Sequence, residues 1–153
     1  MDFLLDIIIP KAEVHNTSLR EQFVLWGGET FAYDPPRYVT PSNLFFEGVN
    51  DFEYYSRLLK KRLEAERYIA LCIRSNALKE LEFIINNNPK GLKNNDLICF
   101  FAELIALSEF YVFLLREDEG IKQSYVVKNK NEIITTLYKS MQWSNPNDIL
   151  ITK

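Results

Sequence analysis

The chain reads as a single α+β domain, residues 1–153, with a mixed or antiparallel sheet, a C-terminal hairpin over about residues 110–128 and three to five helices. Three observations predict this. A length of 153 residues with 47% hydrophobic content is that of one domain able to bury a core without metal or disulfide support. The apolar patterns run strands first, then helices, then hairpin, helix and strand, an order that belongs to α+β rather than to a strictly alternating fold. The stretch Phe110–Lys128 holds two β-rich runs joined by the charged, glycine-ended turn Glu117-Asp118-Glu119-Gly120, which is a hairpin signal. Its first run, Phe110 to Leu115, has no polar break and suits a central strand covered on both faces. The second, Ile121 to Lys128, is more mixed and suits a position further out.

Taken from the start, Phe3 to Ile9 is a β-branched and aliphatic run ended by Pro10, compatible with a buried strand. Gln22 to Tyr33 around Gly27-Gly28 predicts another hairpin. Thr40-Pro41 fits an N-cap with proline at the first helical position, so a short helix carrying Leu44, Phe45 and Phe46 is expected. Asn50 with Glu53 has the layout of a capping box, and Phe52, Tyr55, Leu59 and Leu63 share one helical face. Glu53–Arg57, Lys60–Glu64 and Arg62–Glu66 are then i,i+4 pairs, each contributing about 0.2–0.5 kcal/mol. Tyr68 to Ile73 fits either period, and continuation of the helix is preferred. Leu78, Leu81, Ile84 and Ile85 form a further amphipathic face, stopped at Asn86–Pro89 and Gly91. A third helix runs from Leu97 to about Ser108, apolar nearly all round and so a core helix. Asn129 with Glu132 repeats the capping-box layout ahead of the stripe Ile133, Ile134, Leu137, Tyr138 and Met141. After the turn cluster Ser144–Asp148, Ile149–Ile151 reads as a terminal strand.

Composition excludes several function classes. A net charge of −3 and a pI near 5.3 give no global attraction to nucleic acid or to an anionic membrane. Residues 51–93 hold 9 basic and 6 acidic side chains, against 3 and 7 in residues 1–50 and 6 and 8 in residues 94–153. The basic set Arg57, Lys60, Lys61, Arg62 and Arg67 is interleaved with Glu64 and Glu66, so a solvated helix face is expected there rather than a nucleic-acid patch. Met1–Asp6 has no basic residue ahead of its apolar run and no small-residue cleavage site after it, so no secretory signal is expected. No apolar stretch reaches the ~18 residues of a membrane span. Cys72 and Cys99 lie in apolar runs and are expected reduced and buried, which favours the cytoplasm.

The chemical inventory is thin. His15 is the only histidine and sits in a polar stretch; with two separated cysteines there is no zinc spacing, and no nucleophile has a visible base. Five glycines, of which only Gly27-Gly28 are close, do not make a phosphate-binding loop. No cofactor, metal or catalytic residue is expected. Glu117, Asp118 and Glu119 diverge on a turn open to water, which suits an acidic contact for a basic partner better than acid–base chemistry. Among the 11 Phe, 8 Tyr and 2 Trp, the residues Tyr33, Tyr38, Tyr54, Tyr55 and Trp143 lie near polar or turn residues and are candidates for partial exposure. Exposed Tyr and Trp are common interface anchors. The partner-contact candidates are therefore Glu117, Asp118, Glu119, Tyr33, Tyr38 and Trp143.

The run Ser108-Glu-Phe-Tyr-Val-Phe-Leu-Leu-Arg-Glu-Asp-Glu119, the strand after it, the capped helix and the ending Ile149-Leu-Ile-Thr-Lys153 resemble small bacterial toxin-immunity proteins, including those of contact-dependent growth inhibition systems. The likeness covers about the C-terminal third and includes no signature motif, and no functional residue is carried over from it. It implies a cytoplasmic protein that binds one cognate toxin, often a nuclease, and blocks its active site. Two other readings stay open: a small enzyme using a carboxylate such as Glu103 or Asp34 in a cleft, and a structural or oligomeric module marked by an apolar surface patch.

Overall fold

Residues Leu4–Pro10 form strand β1, the axis of the sheet. A computed structural model describes residues 4–14, 37–39, 45–48, 52–74, 83, 86–87, 96–116, 120–142, 145 and 147–153, and the fold is given by these. A short helix α1 (Lys11–Val14) follows β1 directly. Then come β2 (Arg37–Val39), β3 (Phe45–Gly48), helix α2 (Phe52–Leu59) and β4 (Tyr68–Arg74). Helix α3 (Asp96–Glu103) tightens into a 3-10 turn over Leu104–Ala106. Strands β5 (Tyr111–Leu115) and β6 (Gln123–Val126), helix α4 (Lys130–Ser140) and strand β7 (Ile149–Thr152) complete the described elements.

Among the described residues the strands form a seven-stranded sheet of order β2-β3-β4-β1-β5-β7-β6. All neighbours are antiparallel except β6 and β7, which are parallel. The sheet is therefore mixed and the class α+β. The alternation of side chains along β1 sorts them between two cores. Leu5, Ile7 and Ile9 join Val112 and Leu114 of β5 and Ile149 and Ile151 of β7 under helices α3 and α4. Ile8 joins Tyr111, Phe113 and Leu115 of β5 under helix α2, which contributes Phe52 and Tyr55. Helices thus cover both faces at β1 and β5, and every residue of β5 is buried, as its unbroken apolar run predicts. Helix α3 is a core helix as expected, burying Ile98, Phe100, Phe101 and Ala102.

Several expectations are corrected. Residues 110–128 do not form a hairpin: β5 pairs with β7, and β7 lies between β5 and β6. The physical reason is burial, since Ile149 and Ile151 are fully buried only in the interior slot, whereas the mixed run of β6 tolerates the edge. Tyr68 to Ile73 is strand, not helix. Helix α2 stops at Leu59 because Lys60 turns left-handed (φ 53°), with Lys60 N–H donating to Arg57 O and Lys61 N–H to Ser56 O, a Schellman ending with lysine in the place usually held by glycine. The Ser56 hydroxyl donates to Phe52 O and accepts from Leu63 N–H, and so pins the returning chain. Leu63 is buried as its pattern suggests, but beyond the helix, and Lys60–Glu64 and Arg62–Glu66 are not helical pairs. Phe45 and Phe46 lie in strand β3 rather than in a helix. Cys99 is an exposed free thiol, turned away from the core by the helical period that buries Ile98 and Phe100. Tyr55 is buried, not partly exposed, and Tyr54 is half-buried. The predicted hairpin at residues 22–33, His15, and nearly all of the amphipathic segment 78–91 lie outside the described residues.

Candidate functional site

Among the described residues two surface regions gather polar groups on well-built elements. The first is on the α2 side of the sheet. The loop before β5 supplies Glu109, whose carboxylate accepts from the Tyr68 hydroxyl on Oε1 (2.8 Å) and from the Tyr111 hydroxyl on Oε2 (3.0 Å). Lys61, delivered by the left-handed turn at Lys60, donates to the Tyr111 hydroxyl at 3.0 Å and lies 3.9 Å from Glu109 Oε2. Its ammonium also lies 5.7 Å from the centre of the Tyr111 ring. The bond to Tyr111 is the first cause holding the Lys61 ammonium above its ordinary pKa; burial, then the bond to Glu109, raises the Tyr68 hydroxyl. These groups turn toward one another rather than toward a shared space, and the arrangement ties the turn after α2 to β4 and β5.

The second region is the β6 edge with the groove beside helix α4. The base of β6 is set by Asp148, which is buried. Its Oδ1 accepts from Arg116 N–H at 2.5 Å, and its carbonyl accepts from Lys122 N–H (3.0 Å) and Gln123 N–H (3.3 Å). The Arg116 guanidinium donates to Ser140 O at 3.1 Å, at the C-terminal end of α4, where a cation also suits the helix dipole. Gly120, at φ 95°, makes the turn that returns the chain toward β6, a conformation that a Cβ would strain. At the far end Val127 N–H donates to Thr152 O at 2.8 Å, and the Asn129 side chain caps α4 by accepting from Glu132 N–H at 2.9 Å. The Glu132 carboxylate reaches back to Lys128 N–H (2.6 Å), one residue earlier than in the usual capping box.

Along β6 the side chains alternate. Gln123 and Tyr125 are half-buried, and Tyr125 packs on the α4-side core; Ser124 and Val126 are exposed, Val126 by 67%. An open groove of about 390 Å³ runs between this strand and α4, lined by Tyr125, Val126, Asn129, Asn131, Thr135 and Thr136 among others. Its lining is mostly polar and includes one carboxylate, that of Glu132.

Of the contact candidates read from sequence, Tyr38 lies in β2 opposite Phe46, far along the strand order from β6. Glu117, Asp118, Glu119, Tyr33 and Trp143 lie outside the described residues, as does Asp34. Glu103 stands on α3 with its carboxylate 3.5 Å from Lys130 Nζ and its side chain 23% exposed, an ion pair between α3 and α4. Sequence reasoning placed the second run further out but did not single out its edge; the alternation Gln-Ser-Tyr-Val beside the fully apolar Ile-Leu-Ile is the signal that separates an outer strand from an inner one. Among the described residues no group of acidic, histidine or cysteine side chains could hold a metal, and no helix is long and apolar enough to cross a membrane. No family model, curated protein or solved structure matches the chain.

Proposed function

We propose that this chain is an immunity-type binding protein of the bacterial cytoplasm, which neutralises one cognate toxin by covering its active site. The observation that carries the reading is the outer strand β6, with Val126 67% exposed beside an open groove lined mostly by polar side chains. An outer strand beside an open, shallow groove suits contact with a protein better than the enclosure of a small substrate. The acidic balance and the acidic run Glu117-Asp118-Glu119 suit a basic toxin, such as a nuclease, whose substrate is an anion. The acidic run follows β5 and precedes β6 in sequence, so both contact elements belong to one short stretch of chain.

The test is co-expression with the product of the adjacent reading frame. Growth protection and a stable complex between the two purified proteins are the expected results. Absence of both would refute the proposal. Reversal of charge at Glu117, Asp118 and Glu119 should weaken the complex and make its salt dependence shallower; unchanged affinity would remove these three residues from the interface.

A further inference from the structure

We infer that Glu132 closes the outer edge of β6 against strand pairing, including pairing with a second copy of this chain. The assignment is independent of the binding-protein reading and stands or falls without it. β6 is the last strand of the sheet among the described residues. The N–H groups of Gln123 and of Val127, the residue after the strand, donate to Asp148 O and Thr152 O and so face β7. By the alternation of a strand, the N–H groups of Ser124, Val126 and Lys128 face the other way. Such a row of outward amides is a template for another strand, and the exposed Val126 side chain adds an apolar contact beside it.

The Glu132 carboxylate breaks this row. Its Oε2 accepts from Lys128 N–H, the third of the outward amides, at 2.6 Å. In the usual capping box the same side chain would serve the N–H of the cap residue, Asn129. Here Asn129 still caps α4, accepting from Glu132 N–H at 2.9 Å, while the carboxylate is given to the strand. Burial does not demand that bond, because Lys128 and Glu132 are both exposed and water would satisfy either group. Its consequence lies at the edge. A strand laid along β6 brings a carbonyl oxygen toward Lys128 N–H and meets a carboxylate already bound there, so it loses a backbone bond and faces a second negative oxygen. The stretch left open runs only from Ser124 to Val126, at the short limit of a strand, about three residues. Helix α4 holds the carboxylate in place, and the exposed Lys128 side chain adds a cation of the kind that discourages pairing at sheet edges.

Amide exchange on the parent chain is the first test. After correction for sequence, Lys128 N–H should exchange about tenfold more slowly than the N–H groups of Ser124 and Val126; equal rates would overturn the assignment. Sedimentation velocity over a range of concentrations then compares variants of the full chain. Glu132→Ala should self-associate about tenfold more tightly than the parent. Val126→Pro, which removes the middle outward N–H, should return the double variant to the parent's behaviour. Asn129→Ala is the control: it removes the cap of α4, leaves the carboxylate on Lys128 N–H, and should associate no more than the parent. A Glu132→Ala chain that behaves as the parent, an Asn129→Ala chain that associates as strongly as Glu132→Ala, or association that survives Val126→Pro would each overturn the assignment. Should Glu132→Ala or the double variant fail to fold, the exchange rates of the parent decide the matter alone.

Discussion

Replacing Tyr55 by phenylalanine removes one atom from the joint between helix α2 and the sheet. The Tyr55 hydroxyl donates to Asp6 Oδ2 at 2.6 Å, and the two residues are 2% and 4% exposed. Asp6 stands on the central strand β1, on the face that α2 covers, so the bond joins the helix layer to the middle of the sheet. The ring itself would stay: its centre lies 5.2 Å from that of Phe113 and 5.5 Å from that of Tyr54, contacts that phenylalanine keeps. What is lost is a hydrogen bond to a carboxylate in a buried site, a change of about 1.5–3 kcal/mol. At this chain length that corresponds to a fall in Tm of about 3–12 °C. Urea unfolding of parent, Tyr55→Phe, Asp6→Asn and the double variant gives the coupling between the two side chains. A Tyr55→Phe variant within about 0.5 kcal/mol of the parent, or a double variant equal to the sum of the singles, would refute the claim that this bond fastens α2.

Three further predictions concern other parts of the frame. Lys60→Gly should stabilise the protein by up to about 1 kcal/mol, because the left-handed turn costs a side-chain residue about 1–2 kcal/mol while glycine returns part of this as chain entropy; a raised urea midpoint with unchanged slope is the readout, and a lowered one would refute it. Leu114→Ala, in the fully buried strand β5, should cost about 2–5 kcal/mol, whereas Val126→Ala at the edge should change unfolding by less than about 0.5 kcal/mol. The Lys61 and Tyr68 pKa values are both raised, so each group holds its proton more tightly folded than unfolded. Their contribution is complete below about pH 10 and is lost as pH rises through the folded values. Melting temperatures from about pH 9 to pH 11.5 should therefore fall less steeply for Lys61→Met with Tyr68→Phe than for the parent.

Local patterns were legible where a segment's own residues settle the outcome. The unbroken run of β5 marks it as a strand covered on both faces, and Asn129 with Glu132 marks the start of α4. The apolar girth of α3 marks a core helix, and the turn at Gly120 needs its positive φ. The sequence alone therefore determined the class, the central strand and the outer place of Ile121–Lys128. Pairing was decided only by the tertiary structure. β5 and β6 carry the signal of a hairpin, yet β7 enters between them because two fully buried isoleucines gain more from the inner slot than β6 would. Tyr68–Arg74 keeps a pattern open to helix or strand until a lysine, not a glycine, ends α2 and a serine hydroxyl returns the chain. The edge place of β6 has the same origin: a strand distant in sequence took the place beside β5, a choice made by burial over the whole sheet that no short window of residues contains.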